Sequence, residues 1–114
     1  MVNGHAMPRQ TAYRALSDPT RREILHLLRD GDRPDGEIAD HLDLALSAVT
    51  RHLGLLTAAG LVRAERHRSQ VTYTLTTSVL ADVVLELADL AGITTTVSRA
   101  DLIEPIDLPE RTPG

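Results

Sequence analysis

Four residues between positions 47 and 54 are of the types that proteins use to contact DNA. Ser47 and Thr50 carry short hydroxyl groups that can bond a phosphate or a base, and Arg51 can reach O6 and N7 of guanine or a phosphate. Gly54 would let the backbone come close to a duplex. Any one of these residues alone is an ordinary solvated residue. Together, on the outer side of one helix, they predict contact with DNA.

A second group, Arg66, His67 and Arg68, is basic and has only Glu65 as a neighbouring acid. At the tip of a hairpin these residues would lie along the sugar–phosphate backbone, and the negative potential of the minor groove would favour their arginines. Two alternatives stay open: the hairpin is simply exposed, or Arg66 pairs with Glu65 or with a neighbouring helix.

The distribution of charge supports DNA contact although the whole chain has a net charge of -4. Residues 47–76 hold four arginines and one glutamate, a local net charge of +3. Residues 77–114 hold two arginines and seven acids, a net charge of -5. The local field decides how a surface meets a polyanion, so the basic stretch is the candidate binding surface.

The caps, glycines and apolar periods predict five helices and one β-hairpin. Asp18 and Pro19 are typical of a helix start, whereas Gly31, Gly60 and Gly92 are typical of helix ends. After Gly60 the apolar period changes from about 3.6 to about 2, which indicates two strands. The predicted helices cover about 8–16, 19–29, 34–41, 46–59 and 78–91, and the strands cover 61–66 and 71–75 around a tip at 67–70.

The third and fourth helices are separated by about three residues, 43–45, which is the spacing of a helix-turn-helix. Val49, Leu53 and Leu56 form an apolar stripe on the fourth helix, so its opposite side is free for the polar residues. The hairpin that follows is then a wing. The predicted fold class is mainly α with a small β-hairpin, a dimeric winged helix-turn-helix in the order α-α-α-α-β-β-α.

The last helix is more apolar than one contact face requires. Its apolar residues cover about 240° of the helix, whereas packing on one neighbour needs a stripe of about 100°. The surplus predicts contact with the first and last helices of a second copy; the alternative is burial within one chain. The residues predicted at the dimer interface are Tyr13, Leu80, Val83, Val84, Leu87 and Leu90.

The sequence argues against other functions. The absence of cysteine excludes a thiolate metal site and a cysteine nucleophile, and the five histidines have no partner at ligand spacing. Asp82, Glu86 and Asp89 are better explained as the solvated stripe of the last helix than as a metal site. There is no glycine-rich phosphate loop and no Gly-x-Ser-x-Gly motif, so we expect neither an enzyme nor a cofactor.

The organisation of the chain is that of one small domain. We expect a flexible N-terminus at residues 1–7, a DNA-binding and dimerisation domain at 8–92 and an acidic, proline-containing tail at 93–114. No apolar run approaches the ~20 residues of a membrane span and no signal peptide is recognisable, so we expect a cytoplasmic protein without membrane contact. The alternative function is a winged helix that docks a protein partner, which would not need the +3 charge of residues 47–76.

Five segments, in their order and spacing, are typical of one protein family. They are ALSDPTRREIL at 15–25, EIADHL at 37–42, SAVTRHL at 47–53, AGLV at 59–62 and YTL at 73–75. Together they resemble the ArsR/SmtB family of bacterial winged-helix repressors, over about residues 8–92. The segment TTSVL at 76–80 is similar to the SdpR-type autorepressor subgroup. The resemblance implies a homodimer that binds operator DNA and represses transcription, and the two-fold symmetry predicts a near-palindromic operator. The inducer stays unknown, but without cysteine it is not a thiolate-bound metal.

Two departures from the family's pattern affect the predicted site. Ala45 and Leu46 stand where members usually have Ser or Thr at the cap of the recognition helix. We therefore expect Ser47 to be the cap and the helix to begin one or two residues late, which would weaken the case for base contact by Ser47. Arg68 and Ser69 stand where the wing turn commonly contains glycine, so we expect a longer or differently shaped turn.

Overall fold

The computed structural model of the protein describes residues 7–93. The predictions for residues 1–6 and 94–114 lie outside this part of the chain. The fold is a winged helix-turn-helix of five helices and a three-stranded sheet, which confirms the predicted fold class. In chain order the elements are α1 (Met7–Leu16), α2 (Pro19–Arg29), β1 (Arg33–Pro34), α3 (Asp35–Leu42), α4 (Leu46–Ala58), β2 (Val62–His67), β3 (Gln70–Leu75) and α5 (Ser78–Leu90).

The start of α2 follows the predicted capping chemistry. The carboxylate of Asp18 accepts a hydrogen bond from the backbone N–H of Arg21 at 3.1 Å, and Pro19 occupies the first turn, where its missing N–H costs nothing. This backbone hydrogen bond is the main cause that lowers the pKa of Asp18 below its usual value. The predicted cap is confirmed.

One apolar core joins the helices to the base of the wing. The predicted apolar stripe of α4 is buried, as are Ile38 and Ala39 of α3. The buried residues of α2 are Ile24, Leu25, Leu27 and Leu28. The core is aliphatic because the chain has no Phe or Trp. Removing these side chains from water is the main stabilising term of the fold. The largest fully buried side chains are Ile24, Ile38, Leu53, Leu56, Leu61 and Val49.

The sheet contains a strand that the sequence did not predict. β1 is two residues long and pairs antiparallel with β3, so that the strand order is β1-β3-β2. Its residue Arg33 pairs with Tyr73, and Pro34 pairs with Thr72. The pairing joins the chain just before α3 to the middle of β3, so the wing is attached to the helix-turn-helix.

The wing turn is shorter than expected. β2 and β3 pair as far as His67 and Gln70, which leaves only Arg68 and Ser69 in the turn. The predicted four-residue tip is therefore wrong, and so is the longer of the two alternatives given for the turn. Arg68 has a φ of 61°, the left-handed conformation that such a turn demands and that glycine usually supplies.

Candidate nucleic-acid interface

The outer side of α4 carries the four residues that the sequence singled out. Ser47, Thr50, Arg51 and Gly54 are all exposed, whereas Val49, Leu53 and Leu56 on the opposite side are fully buried. A side chain added at Gly54 would meet no atom within 4 Å, so this part of the helix backbone is open to an approaching molecule. The helix thus presents hydroxyl and guanidinium groups together on one open surface.

Helix α4 starts where the predicted range of about 46–59 places it, but its cap differs from the prediction. The helix begins at Leu46 after Ala45, so Ser47 is its second residue and not its cap. No side chain caps this N-terminus. The first N–H groups of a helix lack partners within the helix and carry its positive dipole end, so the start of α4 suits a phosphate.

Arg21 of α2 holds α4 to the end of α1, a role that sequence reasoning missed. Its Nε donates to the carbonyl of Ala15 at 2.7 Å, and its Nη2 donates to the carbonyl of Arg14 at 3.3 Å. Its Nη1 lies 3.4 Å from Nδ1 of His52 on α4. His52 therefore has a polar contact within its own chain. The one signal in the sequence for this role of Arg21 is its position three residues after the cap residue Asp18.

The wing presents two arginines to solvent. Arg66 and Arg68 are exposed, and neither forms an ion pair within residues 7–93. The alternative that Arg66 pairs with Glu65 is wrong because successive residues of a strand point to opposite faces. Instead, Oε2 of Glu65 lies 3.9 Å from Nε of Arg63, and Oε1 of Glu65 lies 3.9 Å from Nε2 of His67. Arg63 and His67 lie on the same face of β2 as Glu65.

The predicted dimer residues divide into three groups: exposed, buried and partly buried. Val84, Leu87 and Leu90 are exposed on α5, and Leu87 and Leu90 are 50% and 74% exposed. Val83 is buried in the core of its own protomer, so it is not available for contact with a second copy. Leu80 and Tyr13 are partly buried against that core.

Within the described residues 7–93, none of the helices is both long and apolar enough to cross a membrane. No group of three or more His, Asp or Glu side chains in that part of the chain is placed to hold a metal ion.

Comparison with known proteins gives the family. A model described as a helix-turn-helix domain matches residues 16–65. The transcriptional repressor SdpR of Bacillus subtilis is 39% identical over 72 residues, which are 63% of this chain and 80% of that protein. The chain belongs to the ArsR/SmtB family of winged helix-turn-helix transcriptional regulators. The family prediction is confirmed.

Solved structures of ArsR-family proteins have the same architecture. An ArsR-like transcriptional regulator from Rhodococcus sp. RHA1 is 28% identical, with a TM-score of 0.70 over 79% of this chain and 85% of that chain. A second structure, from Mycobacterium bovis, is a homodimeric winged helix-turn-helix DNA-binding domain of a possible ArsR-family regulator. It is 25% identical, with a TM-score of 0.64 over 78% of this chain and 82% of that chain.

Proposed function

We propose that this ArsR/SmtB-family protein is a homodimeric repressor that binds a near-palindromic DNA operator. In this proposal α4 enters the major groove, and the wing follows the backbone towards the minor groove. The name of SdpR, a transcriptional repressor, and the homodimeric DNA-binding domain from Mycobacterium bovis support it. The protein would act by binding and not by catalysis. A regulator of chromosomal genes works where the chromosome is, which supports a cytoplasmic location.

The observation that carries this proposal is the common exposure of α4 and the wing tip. The outer side of α4 offers hydroxyl groups, one guanidinium group and an open backbone, while Arg66 and Arg68 extend the cationic surface along the wing. These features lie in a stretch of net charge +3 within a chain of net charge -4. A surface that binds a polyanion requires this local excess of positive charge.

Some residues of α4 and the wing would contact base edges, and others would contact phosphates. Arg51 fits a bidentate contact with guanine, and Ser47 and Thr50 fit a phosphate or a base edge. Gly54 leaves room for the duplex. The wing group, Arg66, His67 and Arg68, fits phosphates and the minor groove, where the negative potential attracts arginine.

The dimer would form through the exposed apolar side of α5. Val84, Leu87 and Leu90 expose apolar area that a single protomer leaves in water, and Ile93 continues it at the end of the helix. Burial against a second copy would remove this area from water. Tyr13 and Leu80 would lie at the edge of the same surface. A two-fold dimer places two copies of α4 about 34 Å apart, which predicts half-sites one helical turn apart.

The test is selection of duplexes from a random library with the purified protein, followed by binding titrations of the enriched sequence. We expect a near-palindromic duplex bound about a thousandfold or more tighter than a scrambled duplex of the same composition. Affinity should fall steeply as the salt concentration rises, because each phosphate contact releases counterions. Enrichment of no sequence, with equal binding to all duplexes, would overturn the proposal in favour of a protein-docking module.

A pair of arginine variants locates the surface. Arg51→Ala should weaken binding to the selected duplex by about 1–3 kcal/mol and relax the preference at one base pair of each half-site. Arg29→Ala, which removes an exposed arginine from α2, is the control for loss of charge and should leave that preference intact. Equal losses from the two variants would contradict base reading by Arg51.

A further inference from the structure

A crevice of about 210 Å³ opens beside α2, next to the end of α1, the end of β3 and the start of α5. Each of these four elements contributes one leucine to its wall, and three of the four side chains are only partly buried against the core. Apolar surface in the crevice is therefore left in contact with solvent. The four leucines are Leu16, Leu25, Leu75 and Leu80.

One side of α2 lines the same crevice with basic residues. Arg22, His26 and Arg29 follow one another at spacings of four and three, which places them in one row along the helix. All three are exposed, and none of them forms an ion pair within residues 7–93. Nη1 of Arg22 donates to the carbonyl of Leu16 at 2.7 Å, which holds this guanidinium group at the crevice. Leucines beside a row of basic groups fit a ligand that is both apolar and acidic.

Residues 101–110 of the C-terminal tail, outside the described part of the chain, have this chemistry. They include four acids, four aliphatic residues, two prolines and no basic residue, so their net charge is -4. We propose that residues 101–110 bind in the crevice of their own chain. Their aliphatic side chains lie against the four leucines, and their carboxylates lie along the basic row of α2. Burial of apolar surface supplies the attraction, and the opposite charges fix the orientation.

The spacing of the acids agrees with this assignment. They recur at every third position, with the aliphatic residues between them. In the polyproline II conformation that proline favours, residues three apart lie on one side and about 9 Å from each other. On α2 the rise from Arg22 to Arg29 is about 10 Å, so two consecutive acids match the two arginines. The acids are Asp101, Glu104, Asp107 and Glu110.

The chain is long enough for the segment to reach its own crevice. At the end of α5, Gly92 has a φ of 74° and the N–H of Ile93 donates to the carbonyl of Ala88 at 2.9 Å, so the chain leaves the helix axis here. Leu80, at the crevice, lies about 18 Å back along the helix from Gly92. The residues from Ile93 to Asp101 can span up to about 26 Å, which is more than this distance.

The crevice is separate from the centre of the proposed dimer surface. Val84, Leu87 and Leu90, which would meet the second copy, are not among the residues that line the crevice. Of the predicted interface residues, Leu80 alone borders it. Binding of the tail is therefore compatible with the dimer, and it does not depend on whether the protein binds DNA.

The experiment locates the tail with a nitroxide label. Because the chain has no cysteine, Ala100→Cys gives a single labelled position directly before the segment. In the isotope-labelled full chain we expect the NMR amide signals of His26, Arg29 and Leu75 to be lost, and to return when the nitroxide is reduced. Intact signals at these three residues would overturn the proposal.

Charge variants of the labelled protein test the contact itself. Arg29→Glu places a carboxylate in the basic row and should restore the lost signals, as should Glu104→Gln combined with Asp107→Asn. Arg14→Glu is the matched control, because Arg14 is exposed on the opposite side of α1 from Leu16 and lines a different crevice. It should keep the signal losses, and thermal unfolding midpoints should show that every variant folds. Signal losses that persist in Arg29→Glu would overturn the proposal.

A mixed sample distinguishes the two tails of a dimer. Nitroxide-labelled protein without isotopes is mixed with isotope-labelled protein without nitroxide. Signals that stay intact in this mixture, and are lost when one chain carries both labels, support binding within one chain. Equal losses in the mixture would overturn it and assign the crevice to the tail of the second copy. None of these outcomes bears on the proposed DNA binding, which is measured separately.

Discussion

The hydroxyl group of Tyr13 donates a hydrogen bond of 2.8 Å to Oε1 of Glu86 and so joins α1 to α5. The same oxygen lies 3.2 Å from Nε of Arg9. Partial burial and the hydrogen bond to Glu86 raise the pKa of Tyr13 above its usual value. Since α1 and α5 would meet the second copy, this contact fixes the relative position of the two helices that form the proposed dimer surface.

The raised pKa of Tyr13 predicts a specific loss of stability in alkali. The fold favours the neutral phenol, so its contribution to the free energy of unfolding is fully present below the unfolded pKa of about 10. It is lost as the pH rises through the higher pKa of the folded state. The urea midpoint of the wild type should fall between about pH 9 and pH 11, and that of Tyr13→Phe should fall less.

Tyr73 provides the comparison for this measurement. Burial and the negative charge of Asp35 raise its pKa as well, so Tyr73→Phe should remove a separate part of the alkaline response. The double variant should show the flattest profile. A Tyr13→Phe protein whose midpoint falls as steeply as that of the wild type would contradict a role for the Tyr13–Glu86 contact.

Leu87→Asp should separate the dimer into monomers. Leu87 is 50% exposed in the middle of the apolar side of α5, and a carboxylate there would lose its water in the interface. Sedimentation should show a mass near 12.4 kDa for the variant, against twice that mass for the wild type. Leu55→Asp, at a leucine exposed to 48% on α4, should stay dimeric. A Leu87→Asp dimer would move the interface away from this side of α5.

Local chemistry explains why most of the fold was predictable from the sequence. The Asp18 cap and the proline after it act within one helical turn. The stripe of Val49, Leu53 and Leu56 requires only that α4 bury one side. Each of these signals lies within a few residues of the sequence, so these elements can be predicted without knowledge of the tertiary contacts.

The missed features depend on one pairing between distant strands and on the geometry of one turn. β1 has two residues, too few for a period, and forms because Arg33 and Pro34 meet β3. The start of α4 is set by the turn before it, in which Asp43 has a φ of 58° and the N–H of Leu44 donates to the carbonyl of Ala39. Which residues bind DNA stays a prediction, because exposure shows what is available for contact and not what is contacted.

Gly54→Ala should change stability and DNA binding in opposite directions. The glycine lies inside α4 with open space around its Cα, so alanine should stabilise the helix by about 1 kcal/mol. If the backbone approaches DNA here, the added methyl group should weaken binding to the selected duplex. Urea unfolding and binding titrations measure the two effects on one sample. A variant that gains stability and keeps its full affinity would show that the duplex does not approach Gly54.

Arg68 provides the clearest test of whether the wing contacts DNA, because one substitution can remove its charge and keep its backbone conformation. Its φ of 61° is tolerated by asparagine, so Arg68→Asn removes the guanidinium group without forcing a new turn. Affinity should fall on all duplexes alike, and the slope of log K against log salt should decrease by about 0.9 per protomer. Arg63→Asn is the control on the same hairpin, since Arg63 lies near Glu65. A changed sequence preference in Arg68→Asn would show that the wing reads bases, and an unchanged slope would show that Arg68 does not touch a phosphate.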